Sequence, residues 1–159
     1  MPRKAFRVEE VNALLPELEA LLAEVERLRR EVQAHHDQLQ ILNVLWGEKV
    51  GEPGNPDHRE LLTHRGAVEN AVREIDRIAR EEITGRGIRF PQGGLELGLL
   101  DFPTTLDGRW VYLCWQRGEP EVQAWHELSG GFAGRRPITA EHRLRMGRGM
   151  LPDDSLLDF

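Results

Sequence analysis

From Val8 onward the apolar residues fall at helical spacing. Val11, Leu15, Leu18, Leu22 and Val25 form one stripe, and after Leu28 it resumes through Val32, Leu39, Leu42 and Trp46. A seam of near-heptad period predicts a long amphipathic helix of coiled-coil character. Pro16 lacks an amide hydrogen and disfavours helix in the residue before it. The pattern therefore predicts a short helix over about 8–14 and a long one over about 16–46. The glycines and prolines of "GEKVGEPGNPD", residues 47–57, read as a loop. Asp57 with Glu60 three residues on has the form of a capping box. Leu61, Val68, Val72, Ile75 and Ala79 then mark a second helix to about residue 83, which "GRG" at 85–87 ends. Two helices joined by a short loop predict an antiparallel hairpin. The first overhangs the second by about ten residues. That overhang must bury its stripe against the rest of the chain or against another copy.

Beyond residue 87 the period changes to alternation. "GLLDFPTTLDGRWVYLCWQRGEPEVQAWHE" predicts three strands in a meander, and "GIRF" at 87–90 adds a short strand. Asp107-Gly108 is a two-residue hairpin signal, and Gly118 to Pro120 marks the second turn. The predicted fold class is α+β: a long antiparallel helical hairpin followed by a small antiparallel three- to four-stranded β-meander packed on it. The expected division is a helical arm at 1–86, a sheet with an arginine–glycine loop and a short helix at 87–145, and a tail at 146–159. Thr139 caps the short helix "AEHRLRM". The tail is expected to be mobile or docked on a partner through Leu156, Leu157 and Phe159.

Turn positions set strand register, and register sets faces. The first turn places Phe102 opposite Leu113 and Asp101 opposite Cys114. The second, as placed, puts Leu113 opposite Ala124, Tyr112 opposite Trp125, and Trp110 opposite Glu127. One face is then apolar and carries His126. The other carries Asp101, Trp110, Tyr112, Cys114, Trp125 and Glu127, a mixture of aromatics and acids suited to contact. On this reading His126 and Glu127 point to opposite faces, so "WHE" is not one metal pair. Glu127 joins Asp101 and Arg135, and His126 stays with the core.

Composition narrows the possibilities. The 159 residues carry a net charge of −6, with a single cysteine, Cys114. An acidic balance argues against a general nucleic-acid binder. One cysteine excludes an internal disulfide and a cysteine-rich zinc site, and Cys114 at mid-strand reads as an inert packed residue. No apolar run is long enough to span a membrane, and "MPRKAFRVEE" lacks the apolar core of a secretory signal. These features predict a cytoplasmic protein. Residues 130–149 nevertheless hold five arginines against one glutamate. There "SGGFAGRRPI" offers backbone amides and the forks of Arg135 and Arg136 to an anion. The plainer reading pairs these arginines with Asp101, Glu119 or Glu127. His35 and His64 fall on facing seams of the hairpin. They and His126 are minor candidates for a metal, and no metal or cofactor is assigned.

The elements "DFP", "GR-V-LCW--GE", "WHE" and "GFAGR-PI", with "F---E-N-LLP-L" over Phe6 to Leu18, resemble an uncharacterised bacterial group, domain of unknown function family 2203. The resemblance covers most of the chain and implies no known activity. It directs attention to Asp101, Glu119, His126, Glu127 and Arg135. Taken together, the candidate binding residues are Asp101, Trp110, Tyr112, Glu119, Trp125, Glu127, Arg135 and Arg136. Two functions compete. The first is a non-enzymatic interaction or scaffold module that self-associates through its helical arm, as a dimer, and presents the aromatic face to a protein. The second is a small metal- or anion-dependent enzyme, hydrolase-like, with its site at the sheet end and the arginine loop.

Overall fold

The computed structural model describes residues 4–153, 155 and 157. Leu156 and Phe159, expected as docking residues, lie outside the described residues. The chain is α+β, and it divides into two compact units, Met1–Leu22 with Arg80–Phe159, and Ala23–Ala79.

Helix α1 runs unbroken over Val8–Trp46, with Pro16 inside it. The expected break at Pro16 does not occur. Proline costs a helix one hydrogen bond and a local clash. Here Val11, Leu15, Leu18 and Leu22 on either side are all buried in one core, and packing outweighs the local penalty.

In the larger unit a four-stranded antiparallel sheet has the order β1-β2-β3-β4: Leu99–Leu106, Arg109–Gln116, Ala124–Glu127 and Arg136–Pro137. Asp107 and Gly108 both have positive φ, 53° and 77°, as the hairpin signal required. The "GIRF" segment contributes one bridge, Arg89 to Asp101. A short helix, α3 (Gly94–Leu97), precedes β1, and α4 (Ala140–Arg145) follows β4. Thr139 caps α4 through a full capping box with His142. Leu100, Phe102, Val111, Leu113, Trp115 and Trp125 on one sheet face pack against Val11, Leu15, Leu18 and Leu22 of α1. The overhanging stripe is therefore covered by the sheet. Each such large apolar side chain contributes about 1.5–3 kcal/mol on burial.

In the other unit the rest of α1 pairs with α2 (His58–Arg77), which continues as a π-helical turn over Ile78–Ile83. Leu42, Val50 and Leu61 form a small core near the loop. Asp57 precedes α2 but makes no side-chain cap. Its Oδ2 instead accepts the Trp46 indole N–H at 2.7 Å, which corrects the expected capping box and ties the end of α1 to the start of α2.

Candidate functional site

The β1–β2 register is as the first turn predicted, with Asp101 opposite Cys114 and Phe102 opposite Leu113. The β2–β3 register is one residue away from expectation. Leu113 pairs with Trp125, Tyr112 with His126, and Val111 with Glu127. A one-residue slip reverses every side chain on a strand. Trp125 thus enters the core, and His126 joins Asp101, Cys114 and Tyr112. The cause is the connection. Residues 117–123 form a tight turn closed by the Glu119 amide on the Gln116 carbonyl, followed by an irregular stretch that runs on to β3. Glu19 on α1 accepts the Gly118 amide at 2.9 Å, and Asn12 accepts the Val122 amide at 2.8 Å. The helix holds the loop, and the loop sets the strand.

Asp101 and His126 therefore reach over the central strand from opposite sides. His126 Nε2 lies 3.1 Å from Asp101 Oδ1, and both side chains are 1% exposed. His126 Nδ1 lies 2.7 Å from the Glu127 carbonyl oxygen. A carbonyl can only accept, so Nδ1 carries a proton. Nε2 faces a carboxylate, so the pair is an imidazolium with a carboxylate, or shares one proton between them. Burial works against charge on His126, but the bonds to Asp101 and to the Glu127 carbonyl overcome it and raise its pKa above the usual value. Asp101 Oδ2 is buried with no hydrogen-bond partner, and Arg89 Nη1 stands 3.6 Å from it. Arg89 also covers the Tyr112 ring, 4.8 Å from its centroid, and the Tyr112 and His126 rings lie 5.5 Å apart, tilted by 47°.

Cys114 lies on the same face. Burial, with the Asp101 charge second, pushes its thiol up to about 12. With the imidazole nitrogens engaged by Asp101 and the Glu127 carbonyl, the three side chains are not a Cys–His–Asp nucleophilic triad, which needs a thiolate activated by the base. What they do share is position. One ligand atom from each of Asp101, Cys114 and His126 lies within 4.8 Å of the others.

The remaining predicted residues are placed elsewhere. Glu127 does not meet Asp101 or Arg135. It takes Arg109 in a two-bond pair at 2.6 and 3.2 Å, which holds its carboxyl below the usual range. Arg135 donates to both oxygens of Glu119 at 2.8 and 2.9 Å, and to the Cys114 carbonyl at 3.3 Å. Arg136 lies over the Trp125 ring at 5.3 Å. Trp110 and Tyr112 are covered by Leu157, and the Trp110 indole N–H donates to the Pro152 carbonyl at 3.3 Å. The aromatic face is thus closed by the chain's own tail rather than bare. Beside it a cavity of about 680 Å³ opens between Trp110, Leu128, Ser129 and Pro152, with the mutually paired Arg109 and Glu127 in its wall.

On the arm, His35 Nδ1 and His64 Nδ1 are 2.8 Å apart, so one ring donates to the other. Three apolar residues are exposed at the end of α1: Ile41 at 50%, Val44 at 82% and Leu45 at 65%. Sequence reasoning missed this face and missed Cys114 as a possible ligand. The signals were present in the uncharged run Gln38–Gly47 and in the Asp101–Cys114 pairing.

Among the described residues no helix is long and apolar enough to cross a membrane. No curated protein and no solved structure matches the chain. Residues 4–138 match the family described as "Uncharacterized conserved protein (DUF2203)", and the chain belongs to that family.

Proposed function

We propose that this family member is a non-enzymatic interaction module that self-associates through the outer face at the end of α1. The observation that carries the reading is the exposed stripe Ile41, Val44 and Leu45, spaced i, i+3, i+4 on one helix face. It lies within ten consecutive uncharged residues, Gln38–Gly47. Two copies meeting face to face there bring no like charges together, as an isologous contact requires. The occupant is a second copy of this chain.

The sheet end supports the same reading. The groups suggested as acid, base or anion clamp are engaged with one another: Glu127 with Arg109, Glu119 with Arg135, Asp101 with His126. An anion entering the arginine loop must displace the Glu119 carboxylate from Arg135.

Sedimentation equilibrium on the full chain tests the proposal. The expected result is a concentration-dependent dimer that Val44→Glu with Leu45→Glu converts to monomer, with the unfolding midpoint unchanged at concentrations where the wild type is itself monomeric. A strict monomer at high concentration sinks the reading, and so does a dimer indifferent to both substitutions.

A further inference from the structure

The geometry points to a metal centre inside the sheet: Asp101, Cys114 and His126 together hold one zinc-class divalent ion as a structural element of the fold. The three residues come from three neighbouring strands, β1, β2 and β3. Asp101 and Cys114 are directly opposed on one face, and His126 stands on the same face of the next strand. Ala124, opposite Cys114, presents only a methyl group there, which leaves room for the imidazole to lean toward Asp101.

The donor set is one thiolate, one imidazole and one carboxylate, a combination that suits zinc and its neighbours rather than calcium or magnesium. Tetrahedral zinc, with bonds of about 2.0–2.3 Å, holds its ligand atoms roughly 3.3–3.6 Å apart. His126 Nε2 and Asp101 Oδ1 are already 3.1 Å apart, and all three ligand atoms lie within 4.8 Å of one another. Closing the set needs side-chain rotations that move an atom by about 1 Å.

Two further features favour an ion over a purely hydrogen-bonded cluster. Asp101 Oδ2 is fully buried and accepts no hydrogen bond, with only the Arg89 guanidinium at 3.6 Å to offset its charge, and coordination would give it a bonded partner. The bond from His126 Nδ1 to the Glu127 carbonyl leaves Nε2 as the ligand nitrogen, the outer-sphere arrangement common to metal-bound histidines. The two negative ligands offset the charge of the divalent ion, and Arg89, 3.6 Å from Asp101 Oδ2, remains as the positive neighbour. Every ligand is at most 1% exposed, so the sheet encloses the ion, and with three protein donors the fourth zinc position falls to a water molecule or to the second Asp101 oxygen.

Cobalt titration of the metal-stripped full-length protein tests this, because Cys114 is the sole cysteine and any thiolate-to-cobalt charge-transfer band must come from it. The expected result is such a band saturating at one equivalent, bleached by zinc, with a zinc-dependent rise in the unfolding midpoint. His35→Ala with His64→Ala should leave both intact, and Cys114→Ser should abolish the band. Should Cys114→Ser not fold, the wild-type spectrum still decides. No cobalt binding overturns the inference. So does a spectrum without a thiolate band, which places the ion elsewhere, at His35 and His64 if their removal abolishes it.

Discussion

Leu113 stands opposite Trp125 on the β2–β3 ladder, and both side chains are buried in the core that the sheet shares with the start of α1. That pairing puts His126 on the opposite face, within reach of Asp101. Were the ladder to slip by one residue, Trp125 would leave the core and His126 would enter it. The core contact therefore also secures the polar cluster behind it.

The Asp101–His126 pair is buried on both sides: removing His126 leaves Asp101 only the Arg89 guanidinium at 3.6 Å, and removing the Asp101 charge leaves the imidazolium and Arg89 without their shared carboxylate. In metal-stripped protein, Asp101→Asn is expected to cost about 3–5 kcal/mol in urea unfolding. His126→Gln alone should also be costly. The double variant should lose clearly less than the two single losses added, because it removes the buried imidazolium together with the carboxylate that held it. Additive losses would show that the two side chains do not interact.

Glu119 and Arg135 form an ion pair, but they are not equivalent. Glu119 Oε1 also accepts the Gln116 amide at 2.6 Å, and the Glu119 carbonyl accepts the Trp115 indole N–H at 2.9 Å. Glu119→Ala removes the amide's acceptor along with the ion pair, at about 1–3 kcal/mol. Arg135→Ala should cost less, because the freed Glu119 keeps the Gln116 bond. Chemical denaturation of both variants checks the order.

The Arg86 guanidinium holds the Glu17 carboxyl below the usual carboxylate range through bonds of 2.6 and 3.0 Å. A carboxyl depressed in the folded state contributes stability above its unfolded pKa, and that contribution fades as pH falls through the folded value. The stability gap between wild type and Arg86→Ala should therefore be small near about pH 7 and narrow further toward about pH 3. Urea midpoints across that range, with the Glu17 side-chain titration followed by NMR, test the sign. A gap that widens in acid contradicts it.

Leu157 is 8% exposed and covers Trp110 and Tyr112. Leu157→Asp should lift this cover and shift tryptophan emission to the red. The shift should vanish when Trp110 is replaced by Phe in the same chain. Unchanged emission would mean that the tail does not shield the indole.

Local signals carried much of the architecture. Helical spacing marked both helices, Asp107-Gly108 predicted the first hairpin and its register, and Thr139 was legible as a cap. These succeed because the determining contacts lie within a few residues of one another. Pro16 and Asp57 misled for the complementary reason. A buried stripe overrode the proline, and Trp46 drew away the Asp57 carboxylate.

The candidate metal centre depended on one further step. Its first two members were visible, since the hairpin turn alone opposes Asp101 to Cys114. The third was not, because the turn at 116–119 does not fix how many residues follow it before β3 begins. Glu19 and Asn12, about a hundred positions earlier in the chain, hold the Gly118 and Val122 amides and so decide how many residues the connection uses. The chain's own pattern determines which segments are helix and strand and how the first hairpin closes. The face on which His126 lies is decided only in the tertiary structure, because side chains alternate with a period of two and a distant helix supplies the one-residue difference.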